Sequence, residues 1–166
     1  MPESMKKVAI PTAIAASALL LMAPMLALAQ NPHFIGTPTI SKNSDGSLTA
    51  KFKAAGLGNS ATDVFLTSSG GSADLQCVNR GQNEPAPKAF TFDDLASERV
   101  TVNPRNGQVT ATTDPLGPPD LPSADEVCPN RNWTVKIESI TYENVELHIQ
   151  QDGVDLLNFD FGNVDP

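Results

Sequence analysis

An all-β fold, two antiparallel sheets packed face to face as a sandwich, follows from three observations on the sequence. Apolar and polar residues alternate with period two through most of the chain after residue 30. Gly, Asn, Asp and Pro punctuate that alternation at short intervals, and no long amphipathic helical stretch occurs. Together these features predict eight or nine short strands in a layout that is immunoglobulin-like in general architecture, with a small β-barrel as the alternative.

The strands follow in order. In "SLTAKFKAAG", Leu48, Ala50, Phe52 and Ala54 point to one face and Thr49, Lys51 and Lys53 to the other. "NSDG" before it is a turn, so "TPTISK" pairs back as the first arm of a hairpin. "TDVFLTSS" and "ADLQCVN" read as two further strands joined by Gly70-Gly71, and "KAFTF" as a short one. "SERVTVNPRNGQVTATT" reads as a second hairpin, with Val100 and Val102 facing Ala111 and Val109 across a reversal at Asn103 to Gly107. Residues 114 to 130, rich in proline and acids, read as an exposed loop anchored at Cys128, because proline cannot donate to a sheet ladder. Within it only "SADE" suggests a helical turn, with Ser123 as cap.

The last third is the most strand-like. Trp133, Val135 and Ile137 share one face, whereas Ile140 and Tyr142 have the opposite parity, which predicts a bulge near Glu138-Ser139. Val145, Leu147 and Ile149 then face inward, with Glu146, His148 and Gln150 outward. Asp152-Gly153 is a two-residue turn; with a one-residue bulge near Leu157, it pairs Ile149 with Leu156, Leu147 with Phe159 and Val145 with Phe161. A standard immunoglobulin domain is not expected: Trp133 lies beyond Cys128 rather than between the cysteines, and Glu126 stands where the tyrosine two residues before the second cysteine belongs.

The first 29 residues have the layout of a secretory signal. Lys6-Lys7 precede an apolar run from Val8 to Leu28, and Ala27-Leu28-Ala29 offers small residues at a cleavage site after Ala29. The alternative is an uncleaved membrane anchor, against which Pro11, Pro24 and the small-residue ending count. Residues 30 to 166 then form a single exported β domain, secreted to the extracellular space, with the cell surface or periplasm as variants, and no membrane insertion after cleavage. A monomer is expected. The formal charge is −8, and removal of Glu3, Lys6 and Lys7 makes it one unit more negative. Such a surface repels phosphate backbones and anionic lipid, which argues against nucleic-acid partners.

Cys77 and Cys128 are the only cysteines. They are too far apart for a thioredoxin-type site and too few for a four-ligand zinc site, and an oxidising compartment favours a disulfide. Each is followed by one residue and then Asn-Arg, so Arg80 and Arg131 could present two cations to an acidic ligand. Strand ends and turns account for the same residues.

Other constellations are weaker. Ser41 to Phe52 loosely fits a calcium loop but has Phe52 at the bidentate position. His33, behind Pro32, lacks the amides that a terminal copper site needs. Glu146 and His148, with Asp160 across the hairpin, form the sharpest local candidate for a divalent cation or a proton-transfer group, set against a plain solvated sheet face. No Gly-x-Ser-x-Gly elbow is present, no catalytic residue is assigned, and no cofactor is expected. Asn132-Trp133-Thr134 matches a glycosylation acceptor.

The ordered pieces "NPHF", "AAGLGN", "CVNRG", "NGQ", "VCPNRNW" and "YENV" span residues 31 to 145. In this set the chain resembles a group of small secreted proteins, mainly bacterial, to which no activity is assigned. The resemblance implies a shared extracellular β domain with two cysteines and carries no catalytic residues.

The expectation is therefore a non-catalytic extracellular binding or surface module for a protein or glycan ligand. Its contact surfaces are expected in the loops 114 to 127 and Arg80 to Lys88. A small polysaccharide hydrolase using a carboxylate pair and a protease-inhibitor-like protein are the alternatives. One Trp and one Tyr in the whole chain count against an aromatic-lined catalytic cleft.

Overall fold

The computed structural model describes residues 31–81, 87–129 and 131–165. The signal segment with its cleavage site, residues 82–86 of the Arg80 to Lys88 loop and Asn130 of the second Cys-x-Asn-Arg lie outside the described residues.

The strands are β1 (His33–Phe34), β2 (Thr39–Lys42), β3 (Leu48–Ala55), β4 (Thr62–Ser68), β5 (Gly70–Val78), β6 (Lys88–Phe92), β7 (Leu95–Ala96), β8 (Val100–Val102), β9 (Val109–Thr112), β10 (Thr134–Gln151) and β11 (Val154–Val164). One helical turn, α1 (Ala124–Val127), precedes β10. The strands form two antiparallel sheets and no closed barrel, so the sandwich expectation holds over the barrel.

In the four-stranded sheet β3 is central. Lys51 pairs with Thr39 of β2 and Thr112 of β9, and Ala54 pairs with Phe34 of β1 and Val109 of β9. Hence β1 and β2 follow one another along one edge of β3, and β9 takes the other. The "NSDG" turn forms as expected: Asn43 N donates to Ser47 O at 2.8 Å, and Asp45 Oδ1 accepts from Ser47 N at 3.0 Å and Ser47 Oγ at 2.7 Å. Those two bonds hold the Asp45 carboxyl below its usual pKa.

The seven-stranded sheet is simpler than its strand count. β4 and β5 both run antiparallel to β10 in one unbroken register, from Gln150↔Asp63 to Ser139↔Asp74, so they are a single ribbon interrupted at Ser69. β6, β7 and β8 follow each other in the same way along the far edge of that ribbon. Four ribbons therefore make up the sheet, with β11 closing the edge beside β10.

This corrects the reading of Gly70-Gly71 as a connection between separate strands. Both glycines lie inside β5, at the interruption. A Cβ on Gly71 would run into Thr141 O and the Phe92 ring, so only glycine lets the Phe92 side chain fold over the backbone there. Phe92 in turn packs edge-on against Tyr142, with ring centroids 5.7 Å apart. Ser68, buried beside the break, has its Oγ 2.7 Å from Gly70 O and 2.9 Å from Glu143 O, so its one hydroxyl proton is held between two carbonyls.

The second expected hairpin is also corrected. The tight turn exists, with Arg105 and Gln108 exchanging both backbone bonds around Asn106 (φ 52°) and Gly107 (φ 72°). Its arms then part: β8 joins β4 in one sheet, whereas β9 joins β3 in the other. Burial explains the parting, because Val100, Val102, Val109 and Ala111 all pack into the core between the sheets.

In β10 the expected bulge lies between Ile137 (opposite Leu75) and Ser139 (opposite Asp74). Trp133 falls just outside the strand. The hairpin with β11 is offset from expectation: Ile149 faces Leu157, Leu147 faces Phe159 as expected, and Val145 faces Gly162 rather than Phe161. The irregularity nearest the turn sits between Ile149 and Gln150 and skips Leu156, one position earlier than supposed, and two further register shifts flank Val145.

The core lies between the sheets. Leu48, Ala50, Ala54, Leu57, Val64, Leu66, Tyr142, Val145, Leu147 and Ile149 are fully enclosed. Fully burying a side chain of this kind is worth about 1.5–3 kcal/mol, which makes this layer the main source of stability. Tyr142, the only tyrosine, donates its hydroxyl to Gly46 O at 2.9 Å, tying β10 to the β2–β3 turn. Burial, and secondarily the charge of Asp45, pushes its hydroxyl pKa up to about 12.

Candidate functional site

β10 is more than twice as long as β3, so the four-stranded sheet does not reach the first residues of β10. The proline-rich segment crosses that open end instead. It is pinned at one end by Leu116, which is fully buried and exchanges backbone bonds with Leu48 at 2.8 and 3.1 Å. At the other end Cys128 is bonded to Cys77, with Cα atoms 5.7 Å apart. The exposed loop expected here is therefore a strap with two buried anchors, and the two cysteines form the expected structural crosslink.

Between its anchors the strap turns once. Glu126 accepts from Ser123 N at 2.8 Å and Ser123 Oγ at 2.7 Å, and Glu126 N donates to Ser123 O at 3.0 Å. These bonds hold the Glu126 carboxyl below its ordinary pKa and fix the entry to α1. Pro118 and Leu121 of the strap, with Val135, Ile137 and the Asn43–Gly46 turn, border a shallow groove of about 530 Å³ along β10.

On the other side of the bridge is an open depression of about 580 Å³ lined by Asn79, Arg80, Gly81, Asn132 and Trp133. The fold brings these residues together through strand pairing: Val78 opposes Thr134 and Cys77 opposes Val135, so the residues just beyond both strand ends meet. Asn79 Oδ1 accepts from Gly81 N at 2.8 Å, which sets the turn that carries Arg80. Trp133 is half-buried, Arg80 is exposed, and no carboxylate stands among the described lining residues. Of the two Cys-x-Asn-Arg copies, the first places its Asn and Arg in this depression. Arg131 does not line it. The lone tryptophan beside a repeated Asn-Arg was the signal in the sequence that marks this place.

The candidate set Glu146, His148 and Asp160 is only partly assembled. Glu146 does oppose Asp160 in register, but Asp160 Oδ1 accepts from Gly162 N at 2.6 Å. The second carboxylate beside the imidazole is Asp155, with Oδ1 3.4 Å from Nδ1, while Glu146 Oε2 lies 3.6 Å from Nε2. Thr67 Oγ1 is 2.9 Å from Nε2. No group of three His, Cys, Asp or Glu side chains is arranged to hold a metal ion among the described residues.

What the sequence did not reveal is why His148 sits there. Phe65 points to the outer face of its sheet and is nevertheless buried, because the His148 ring stacks on it at 4.9 Å and the Arg99 guanidinium covers it at 4.1 Å. Arg99 donates to Gln150 Oε1 at 2.6 Å, and Gln150 Nε2 donates to Asp155 Oδ1 at 2.9 Å, closing a polar rim around the aromatic pair. This cluster is a small second core on the outer face, in which the buried His148 Nδ1 lies near Asp155 without a hydrogen bond.

The remaining candidates are structural. The Ser41 to Phe52 stretch is the β2–β3 turn, and His33 Nδ1 lies 2.8 Å from Asn31 O in β1. Among the described residues, no helix is long and apolar enough to cross a membrane.

Fold and site together define an all-β, two-sheet sandwich stapled by one disulfide, with an aromatic and cationic depression at the stapled end. Comparison with protein families, with curated proteins and with solved structures finds no match.

Proposed function

We propose that the chain is a non-catalytic extracellular binding module whose ligand site is the depression beside the disulfide. The observation that carries this reading is the placement of the only tryptophan next to an exposed arginine in an open, water-facing hollow. A large amphipathic ring left half-exposed beside polar groups is the composition of a contact site rather than of a core. The two strands that carry it, β5 and β10, are paired in one sheet, and the bridge ties β5 to the end of the strap that leads into β10, so the site is held in place before any ligand arrives and little ordering entropy is lost on binding. Export through the amino-terminal signal fits the crosslink. The resemblance to small secreted bacterial proteins with two cysteines fits the same setting.

The test is a glycan and cell-wall binding array on the exported protein, with product analysis of every retained polymer. Retention without turnover, lost in Trp133→Ala while thermal unfolding is unchanged, is the expected result. Retention that survives Trp133→Ala places the ligand elsewhere, and release of cleaved products makes the chain a hydrolase.

A further inference from the structure

Resting on that reading, we infer that the ligand is a short saccharide carrying one carboxylate, with its ring face on Trp133 and its carboxylate on Arg80. The lining of the depression is one indole, two primary amides, one guanidinium and a glycine. An indole face offers a flat apolar platform for the C–H face of a sugar ring. A guanidinium forks onto a carboxylate in two parallel bonds. No aliphatic side chain lines the hollow among the described residues, so that part of its wall offers no socket of the kind an apolar peptide side chain fills.

Charge narrows the class further. The protein is strongly acidic overall, yet Arg80 has no ion-pair partner among the described residues and the hollow contains no described carboxylate. A single anionic group is therefore attracted locally, whereas an extended polyanion is repelled by the rest of the surface. The outer-face cluster around Phe65 offers no such opening, because Arg99 is already committed to the Phe65 ring and Gln150.

The experiment is calorimetric titration of the exported protein with a disaccharide of glucuronic acid and N-acetylglucosamine, with its methyl ester, and with an acidic dipeptide. The expected result is saturable binding of the acid disaccharide and binding of the ester weaker by about tenfold or more. Arg80→Gln should weaken the acid to the level of the ester and leave the ester unchanged. Equal binding of acid and ester overturns the carboxylate assignment and leaves the site standing. Acid binding that is indifferent to both Arg80→Gln and Trp133→Ala overturns the site itself. Preference for the dipeptide, or no binding of either sugar, overturns the saccharide class.

Discussion

β10 passes through two settings along one strand. From Ile140 onward it lies under the four-stranded sheet, with the β4–β5 ribbon on one edge and β11 on the other, and Tyr142, Val145, Leu147 and Ile149 are sealed from water. From Thr134 to Ile137 it pairs with β5 alone, its inward side chains are only half-buried, and its cover is the strap. The first setting is held by close packing, which resists any loss of volume. The second is held by one covalent bond and one backbone bridge, which keeps neighbouring surface open and still in place. Rigidity without full burial is what a preformed binding surface requires.

The largest expected effect comes from cutting the staple. In the chain-entropy account a loop of 51 residues confers about 4 kcal/mol, so Cys77→Ser with Cys128→Ser should lower the urea midpoint sharply. Amide exchange should quicken first over Thr134 to Ile137 and least at Leu147 and Ile149. Uniform quickening would break the contrast between the two halves.

Truncation in each half sharpens it. Leu147→Ala should cost about 2–5 kcal/mol, as for other enclosed leucines, whereas Val135→Ala should cost about 1 kcal/mol or less. Chemical denaturation of the two variants measures both, and similar losses would mean that the strap packs as tightly as a sheet.

Tyr142 tests the join between the halves. Tyr142→Phe leaves Gly46 O unpaired and should cost about 1–3 kcal/mol near neutral pH. Because burial holds the folded hydroxyl at about 12, the unfolded chain releases this proton first, at its ordinary value near 10. Stability should therefore fall as pH rises from about 10 towards 12 in the native protein, and this limb should flatten in Tyr142→Phe. Thermal unfolding across that range reads it.

The smallest effect belongs to the strap's own turn. Glu126 has a lowered carboxyl pKa, so its contribution is present above the unfolded value and is lost as pH falls through the folded one. Glu126→Gln should remove a shallow part of the acid limb of an unfolding curve and leave the neutral midpoint nearly unchanged.

Much of the fold was legible because alternation records which face of a strand is buried. Leu48, Ala50, Phe52 and Ala54 in β3, and the change of parity between Ile137 and Ile140, gave the inward faces and the bulge directly. What alternation omits is the partner. Asn106-Gly107 does form its turn, but nothing local says that the two arms belong to different sheets, since that depends on the core they share. Gly70-Gly71 resembles a turn because glycine serves sharp reversals and close approaches alike, and the Phe92 ring that demands the latter lies some twenty residues away. At the outer-face cluster Glu146 opposes Asp160 as the alternation suggests, but the imidazole meets Asp155, which pairs with Gln150 further along β10, because register alone does not say which way a side chain turns. At the stapled end the sequence marked Trp133 and the cysteines, but only strand pairing could set Arg80 beside the indole.

The doubly anchored strap has a consequence for survival among proteases. A cut anywhere between Gly117 and Val127 would leave Cys77 in one fragment and Cys128 in the other, still joined through sulfur. A nicked molecule would migrate as one species until reduced. The hollow beside the bridge would keep both of its walls, so a cut in the strap need not end the protein's working life.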